Sequence, residues 1–385
     1  MARILDTTLR EGEQTPGICF PPHIKSAIAG MLDRVGVDFI EAGHPAVDPE
    51  IREAVAHLAG RGFRANIAAH SRSLKPDVDA ALECGVGFLG IFYCVSKDRL
   101  EGVFRKELAQ AVSGIEDAIA YAKEQRPGLI VRYTPEDTVR SSIEHVVDAA
   151  AAAAHAGADI ISIADTTGYM MPGVPGRDMY DYVSRLREKL DQRGVQPTIA
   201  VHCHNDRGVA LANALGGVRA GAEIIDATVL GLGERAGIVD LATVMTVLRA
   251  DFDAGEPWDL THLPDLYRLV SMHSGMAIPP NSPIVGANAF THCAGVHTNA
   301  ALKNPTHYES LDPSLVGRTR DIAIDHMSGR STIEWALAQL EIEPDGELVD
   351  TVLTMAKAEG RKGRSVDLEE LGHMVDYIRG GEPAT

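Results

Sequence analysis

The sequence predicts an α/β protein built as a (β/α)8 TIM barrel, followed by a small, mostly helical C-terminal subdomain. Short β-rich apolar runs recur along the chain, and each is followed by a longer segment with helical periodicity. Eight such runs fall within about 250 residues, and no glycine-rich phosphate-binding turn follows the first of them. This pattern fits a closed parallel barrel better than an open doubly wound sheet.

The predicted elements follow from these runs and from the glycines between them. Several helices end in glycine, as in "VRAGAE" and "HAGAD", where the chain needs a left-handed cap before the next strand. The eight strands are predicted over residues 2–5, 37–43, 64–70, 88–95, 129–135, 160–166, 198–204 and 224–231. Helices are predicted over residues 22–35, 105–124, 143–155, 174–192 and 209–220.

Composition and charge exclude several classes of partner. The chain has 385 residues and a formal net charge of -18, so it should repel both nucleic acid and anionic membrane surfaces. No apolar run is long enough to span a membrane, and the N-terminus resembles a strand more than a signal peptide, so a cytoplasmic protein is expected. The five scattered cysteines predict reduced thiols, mostly in the core.

The alternation of strands and helices stops near residue 250, which predicts three segments. They are a catalytic barrel over 1–255, a linker and lid-like subdomain over 256–312, and a helical subdomain over 313–385. About 70 amphipathic residues are too few to bury a core of their own, so the last segment should pack against a barrel. We expect a homodimer.

Polar side chains follow nearly every predicted strand. In this fold the C-terminal ends of the strands and the loops after them carry the chemistry. The candidates at this rim are Asp6, Arg10, Glu11, Gln14, Glu41, His44, His70, Arg132, Thr134, Glu136, Asp165, Thr166, His202, His204, Glu234 and Arg235.

Two of these residues, His202 and His204, are spaced to share one face of the seventh strand. A carboxylate from the first strand or its loop, Glu11 or Asp6, would complete a two-histidine, one-carboxylate triad for Mn, Zn, Co or Fe. Alternatively, the two histidines are ordinary core or rim residues.

Cationic side chains near the same rim favour an acidic substrate. Arg132 could bind a carboxylate bidentately, with the Thr134 hydroxyl beside it, and Arg10 could stabilise an oxyanion. Alternatively, each arginine forms a structural salt bridge with a neighbouring glutamate. In "GLGERAG", Glu234 and Arg235 either gate a mobile lid or form a plain ion pair.

Six ordered motifs carry a family resemblance. "DTTLREGEQ", "VRYTPED", "IADTTG", "HCHNDRGVALANAL", "GLGERAG" and "FTHCAGVHTNAALKNPTHYE" resemble the homocitrate synthase and isopropylmalate synthase family. The resemblance implies a TIM-barrel acyltransferase that condenses acetyl-CoA with a 2-oxo acid and then hydrolyses the thioester. It also implies a divalent metal ion (Mn, Zn, Mg or Co) and a C-terminal subdomain that helps to close the active site of a partner subunit.

The resemblance assigns roles to individual residues. It implies that Glu11, His202 and His204 bind the metal and that Arg10 stabilises the enolate or carbonyl oxygen. The implied acid/base residues are Glu136, His297 and Tyr308. From the residues alone, His297 is a loop histidine and Tyr308 an interfacial tyrosine.

The wording of the last motif is closer to the homocitrate synthase branch, but three strand ends depart from it. They are "EAGHPAVD", with His44, "AAHSRS", and "GIFYCVS", where Gly90 and bulky aromatics stand in place of an acidic residue. The predicted substrate-binding set is Gln14, Glu41, His44, His70, Arg132, Thr134 and Thr166.

We expect a 2-oxo acid with an anionic side chain, giving a 2-hydroxy-2-carboxymethyl diacid or triacid. Candidates are 2-oxoglutarate, oxaloacetate and phosphonopyruvate, whose product would be 2-phosphonomethylmalate, and 2-oxoisovalerate stays an alternative. Two other classes stay open: a metal-dependent carbon-carbon lyase or aldolase, and a barrel kept as a binding or assembly module.

Overall fold

A computed structural model describes residues 2–252 and 258–380 of the protein. It contains a closed barrel of eight parallel strands in sequential order, which confirms the predicted fold class. Strand β1 pairs with both β2 and β8, so the sheet has no free edge. The barrel strands are β1 (Arg3–Asp6), β2 (Phe39–Glu41), β3 (Asn66–Arg72), β4 (Phe88–Cys94), β5 (Ile130–Glu136), β6 (Ile160–Asp165), β7 (Thr198–Cys203) and β8 (Ile224–Ala227).

Helices cover the outside of the barrel and return the chain to the next strand. The helices up to residue 278 are α1 (Pro22–Val35), α2 (Pro49–Ala59), α3 (Lys75–Glu83), α4 (Lys97–Arg99), α5 (Leu108–Gln125), α6 (Ile143–His155), α7 (Met179–Gln192), α8 (Ala210–Arg219), α9 (Leu241–Asp251) and α10 (Leu263–Ser274). Helices α1 and α6 have the predicted bounds. Helix α7 begins at Met179, later than predicted, because the Asp178 side chain accepts hydrogen bonds from Tyr180 N and Asp181 N.

The interior of the barrel is filled by apolar side chains below the rim. The rings of Phe39 and Phe88 meet edge to face, with centroids 5.1 Å apart. The other buried members of this cluster are Leu5, Ala68, Ile160, Ala200 and Ile224. This apolar layer fills the interior of the barrel. The C-terminal ends of the strands lie above the layer and form the floor of an open cavity.

Strand β8 is shorter than predicted. It ends at Ala227, after which Thr228 N donates to Val239 O and Leu230 takes a left-handed conformation (φ 62°). Residues 228–231 are therefore part of the loop above the barrel.

The chain divides into two compact units, Met1–Ile278 and Pro279–Thr385. The predicted boundary at residue 255 lies outside the described residues. Helix α10 groups with the barrel, because it packs on α1 and because the buried Tyr267 hydroxyl donates to Asp240 Oδ1 (2.6 Å). The linker and lid-like role of 256–312 stays a prediction.

The second unit is mostly helical. It contains β9 (Thr291–His292) and β10 (Asp321–Ile322), which pair in parallel, and the helices α11 (Gly295–Lys303), α12 (Arg330–Gln339), α13 (Gly346–Gly360) and α14 (Leu368–Ile378). Helices α12 to α14 share a buried cluster that includes Ile333, Leu337, Val352, Leu371 and Val375. This differs from the expectation that the C-terminal segment could not bury a core of its own.

The expectations about membrane spans and about the cysteines can be compared with the described residues. Across 2–252 and 258–380, none of the helices combines the length and the apolar character needed to cross a membrane. All five cysteines are free, and Cys84, Cys94 and Cys203 are buried.

Candidate active site

A cavity of about 660 Å³ opens at the C-terminal ends of the barrel strands. Most of the predicted rim residues line it: Arg10, Glu11, Gln14, His44, His70, Arg132, Thr134, Glu136, Thr166, His202, His204, Glu234 and Arg235. The other three residues of the rim set, Asp6, Glu41 and Asp165, do not line the cavity and have structural contacts instead. The Asp6 carboxylate accepts hydrogen bonds from Thr8 N (2.9 Å) and Thr8 Oγ1 (3.0 Å), and Asp165 accepts from the backbone after β6.

Glu11, His202 and His204 come together at the floor of this cavity, with ligand atoms within 4.8 Å of one another. The Nε2 atoms of the two histidines are 3.3 Å apart, and His204 Nε2 is 3.9 Å from Glu11 Oε1. Burial and the neighbouring His202 lower the pKa of His204 to about 4, so its imidazole is neutral at pH 7, as a metal ligand requires. Burial opposes ionisation of Glu11, but Arg10 and the two histidines lower its pKa to about 2.

The surroundings of the triad fit a divalent metal ion. His202 Nδ1 contacts Asp226 Oδ2 at 3.0 Å, which makes Nδ1 the donor and leaves the Nε2 lone pair directed at His204 and Glu11. Two buried Nε2 atoms facing each other beside a carboxylate form a donor set of the kind that Zn, Mn or Co takes in proteins.

A buried charge network surrounds the triad. Arg10 bonds to Glu11 and also to Glu41 (Nε to Oε2, 2.7 Å). Arg132 Nη1 donates to both oxygens of Asp226 (2.8 and 2.9 Å), and Arg132 Nη2 is 3.6 Å from Glu41 Oε1. Both arginines therefore form structural salt bridges, which was the alternative interpretation of them. Both also line the cavity.

Glu41 contacts several members of this charge network, and its side chain is almost completely shielded from solvent. Its carboxylate also accepts from Thr7 Oγ1 (2.7 Å) and contacts His70 Nδ1 (3.1 Å). Burial opposes its ionisation, but Arg10 and His70 hold the pKa of Glu41 well below its usual range. Glu41 orients Arg10, His70 and Arg132, and its predicted contact with substrate stays a prediction.

One wall of the cavity is formed by aromatic rings. His70 stacks on Phe92, with centroids 4.6 Å apart, and His44 lies edge-on to both rings. His44 Nε2 contacts Asp77 Oδ2 (3.2 Å), and this carboxylate is in turn held by Arg72. Burial lowers the pKa of His44, while Asp77 opposes that decrease.

The neighbouring part of the cavity, on β5 and β6, presents hydroxyl groups and a second ion pair. Within the described residues, the buried hydroxyls of Thr134 and Ser162 have no hydrogen-bond partner, and both line the cavity. Glu136 accepts a hydrogen bond from Arg99 Nη1 (2.6 Å), while Thr166 Oγ1 accepts from Asp137 N (2.9 Å).

The loop after β8 contacts Glu11 through its backbone. Glu234 N donates to Glu11 Oε1 (3.1 Å), and Arg235 pairs with Asp206 (2.8 Å). The ion pair that forms is thus Arg235 with Asp206, in place of the predicted alternative of Glu234 with Arg235. The lid role of this loop stays a prediction.

His297 and Tyr308 belong to the second unit, where their rings lie 4.2 Å apart. The next residue, Glu309, is held by Arg320 (Nη2 to Oε2, 2.6 Å) and by His292 (2.9 Å). These contacts fix the backbone that carries Tyr308.

Sequence reasoning missed several residues of the site: Asp77, Arg99, Ser162 and Asp226. Asp226 is the most important of them because it contacts both His202 and Arg132. The only available signal was an aspartate within the apolar run "IIDATV" of a buried strand.

The fold and the site define a (β/α)8 barrel with a two-histidine, one-carboxylate cluster that could hold a metal ion. Residues 1–270 match the family model described as HMGL-like, and residues 284–364 match that described as homocitrate synthase post-HMGL domain-like. The chain belongs to the HMGL-like family, as the sequence resemblance indicated.

Individual relatives agree with this assignment. The chain is 45% identical over 355 residues to homocitrate synthase from Pyrococcus horikoshii, covering 92% of this chain and 94% of that protein. It is 40% identical over 380 residues to homocitrate synthase AksA from Methanopyrus kandleri, covering 98% and 93%. The protein is therefore an enzyme of the acyltransferase type.

Among solved structures, HMG-CoA lyase from Bacillus subtilis has a TM-score of 0.61 at 22% identity, covering 74% of this chain and 96% of that chain. HMG-CoA lyase from Brucella melitensis has a TM-score of 0.58 at 22% identity, covering 71% and 99%. These similarities show the shared barrel fold.

Proposed function

We propose that this enzyme condenses acetyl-CoA with a 2-oxo acid and then hydrolyses the thioester, in the manner of a homocitrate synthase. The observation that carries the proposal is the convergence of Glu11, His202 and His204 under a cavity lined by Arg10, Thr134 and Ser162. The hydroxyls of Thr134 and Ser162 have no hydrogen-bond partner in the part of the chain that the structure describes. Identity to homocitrate synthases over most of the chain supports the same reaction.

A divalent ion held by Glu11, His202 and His204 would act as a Lewis acid that polarises the ketone of the 2-oxo acid. The protein's own groups do the rest. Thr134 and Ser162 can donate hydrogen bonds to the substrate carboxylate from hydroxyls that have no other partner among the described residues. Arg10, which Glu41 and Glu11 orient, stabilises the negative charge that develops on a substrate oxygen.

The carbon-carbon bond requires removal of a methyl proton from acetyl-CoA. Glu136, oriented by Arg99, lines the cavity and is one proposed participant in this proton transfer. We assign the other acid/base roles to His297 and Tyr308. The resulting enolate attacks the keto carbon of the 2-oxo acid, and water then cleaves the thioester to release the product and CoA.

We propose that the side chain of the 2-oxo acid is anionic and lies against the wall formed by His44, His70 and Phe92. Gly90, on β4, lies beside this wall, and a Cβ at this position would be in van der Waals contact with His70 Nδ1 (3.4 Å) and Glu41 Oε1 (3.5 Å). The His44 ring, fixed by Asp77, would then contact the distal charged group of the substrate.

The test is release of free CoA thiol from acetyl-CoA in the presence of Zn²⁺, Mn²⁺, Mg²⁺ or Co²⁺. The panel of acids contains 2-oxoglutarate, oxaloacetate, phosphonopyruvate and 2-oxoisovalerate, and we expect the anionic side chains to give the higher kcat/KM. H202A should abolish release, whereas H155A, at the exposed end of α6, should behave as wild type. No thiol release with any acid of the panel would refute the proposal, and a preference for 2-oxoisovalerate would refute the anionic side chain.

A further inference from the structure

Three arginines from three different loops converge on the turn that follows β6. Arg235 Nη2 donates to Thr166 O (2.7 Å), Arg207 Nη1 donates to Gly168 O, and Arg177 donates to Tyr169 O through Nε (3.1 Å) and Nη2 (2.6 Å). We refer to Arg177, Arg207 and Arg235 as the arginine collar. Backbone carbonyls thus fix all three guanidinium groups on one short segment of the rim.

The collar is cationic in a strongly acidic protein. Arg235 is paired with Asp206, but within residues 2–252 and 258–380 neither Arg177 nor Arg207 forms an ion pair with a carboxylate. Both lie near the Tyr169 ring, with their guanidinium carbons 4.3 and 5.9 Å from its centroid.

The hydrogen bonds leave donors unused. A guanidinium has five N–H groups, and those of Arg177 and Arg207 that do not contact the turn can bind an anion. Arg207 is exposed and Arg177 is half-buried, so both can be reached from solvent.

The turn after β6 lies very close to Asp206, in the loop after β7. Gly168 has a left-handed conformation (φ 58°), and a Cβ there would lie 2.9 Å from Asp206 Oδ2 and 3.0 Å from Asp206 N. Asp165 lies beneath the turn and accepts hydrogen bonds from Tyr169 N (2.6 Å) and Met170 N (3.0 Å). Its carboxylate is thereby directed at backbone N–H groups.

The collar adjoins the active-site cavity, because Thr166 and Arg235 also line that cavity. A ligand whose reactive end occupies the cavity could therefore place a second, anionic part on the collar. Fixed guanidinium groups bind phosphate oxygens well. Of the two proposed substrates, only acetyl-CoA carries phosphates far from its reacting carbon.

We propose that the arginine collar binds the phosphate groups of acetyl-CoA, with Arg177 and Arg207 as its principal contacts. This inference rests on the proposed function, because that proposal supplies acetyl-CoA as the substrate. The shared ligand chemistry is a phosphate of the 3′-phosphoadenosine 5′-diphosphate part, either its diphosphate or its 3′-phosphate.

The test compares the R177Q/R207Q variant with wild type on acetyl-CoA and on S-acetylpantetheine, which lacks all these phosphates. We expect the KM for acetyl-CoA to rise about tenfold or more, as expected for lost charge-assisted hydrogen bonds. The kcat and the KM for the 2-oxo acid should stay unchanged, and with S-acetylpantetheine variant and wild type should be equal. R61Q is the matched control, because Arg61 also lies over an aromatic ring, that of Phe63, but precedes β3 at the opposite end of the barrel.

Acetyl-dephospho-CoA separates the two phosphate sources. If the variant's defect persists with this substrate, the collar binds the diphosphate, and if the defect disappears, the collar binds the 3′-phosphate. Either result supports the inference. A KM for acetyl-CoA within twofold of wild type would overturn it, as would an equal rise with S-acetylpantetheine.

The salt dependence of the wild-type enzyme tests the same inference if the variant does not fold. Added KCl should raise the KM for acetyl-CoA and leave the KM for S-acetylpantetheine unchanged, because screening acts on the phosphate contacts. Equal salt dependence of the two values would count against the collar. Absence of thiol release by wild type would refute the proposed function itself. In that case, calorimetric binding of adenosine 3′,5′-bisphosphate to wild type but not to R177Q/R207Q would still support phosphate binding by the arginine collar.

Discussion

Replacement of Asp226 by asparagine should weaken metal binding without changing any of the three proposed metal ligands, Glu11, His202 and His204. The fully buried Asp226 carboxylate accepts from His202 Nδ1 at 3.0 Å and from Arg132 Nη1 at 2.8 and 2.9 Å. An asparagine keeps the size of the side chain but removes its charge and one acceptor oxygen. The side chain at position 226 then no longer fixes the tautomer and the orientation of the His202 ring.

The size of the effect follows from these contacts. Loss of a carboxylate that orients a metal-binding histidine costs about 10- to 100-fold in metal affinity, or about 1.4–2.8 kcal/mol. The free energy of unfolding of the metal-free protein should fall by about 3 kcal/mol, the low end of the cost of breaking a buried ion pair. The low end applies because Glu41 Oε1 remains 3.6 Å from Arg132 Nη2 and partly compensates its charge.

Affinity is measured by titrating EDTA-treated protein with Zn²⁺ or Mn²⁺ in competition with a fluorescent chelator, and stability by urea unfolding. D240N is the control, because Asp240 caps α9 and accepts from Tyr267, outside the metal centre. Wild-type affinity in D226N, together with a lowered free energy of unfolding, would show that Asp226 does not orient His202. Equal loss of affinity in D240N would show that the effect is nonspecific.

Three further changes test other parts of the molecule. Burial raises the pKa of Asp6 from 3.8 to about 7, so between these pH values the folded protein holds a proton that the unfolded chain releases. The resulting stabilisation is fully present below about pH 4 and is lost as the pH rises to 7. Urea unfolding of metal-free protein between pH 5 and 7 should show wild type losing about 1 kcal/mol per pH unit relative to D6N, and parallel curves would contradict this. E309Q should lower the free energy of unfolding by about 2 kcal/mol and lower kcat by disturbing the neighbouring tyrosine; unchanged steady-state kinetics would contradict the second part. A Cβ on Gly237 would lie 1.7 Å from Gly231 O, so G237A should cost about 2 kcal/mol or more in thermal unfolding, whereas G30A, in open space on α1, should not destabilise.

The barrel could be predicted because its signals are local in sequence. Each buried parallel strand is a short apolar run, and each following helix has its own periodicity, so element type and order follow without tertiary information. The strand ends were less certain, as β8 shows. Its apolar run continues to Gly231, but the backbone of Thr228 pairs with Val239 and ends the ladder at Ala227.

The convergence of His202 and His204 was predictable for the same local reason, since residues two apart on a strand share a face. Strand geometry alone left Glu11 and Asp6 open as the third member, because both follow or end β1, and the choice of Glu11 came from the resemblance. In the structure Thr8 contacts both oxygens of Asp6, while the Glu11 carboxylate lies 3.9 Å from His204.

Residues that act through another residue were beyond sequence reasoning, and Asp226 shows why. It is 24 positions from His202 and 94 from Arg132, and only closure of the barrel brings the three together. An aspartate inside an apolar run predicts a buried, partnered carboxylate but does not identify the partners. The same holds for the arginine collar, whose members follow three different strands and meet only because the loops after β6, β7 and β8 are neighbours around a closed sheet. Side chains that contact the reacting atoms can therefore be found from motifs, whereas those that orient them follow from the order of strands around the barrel.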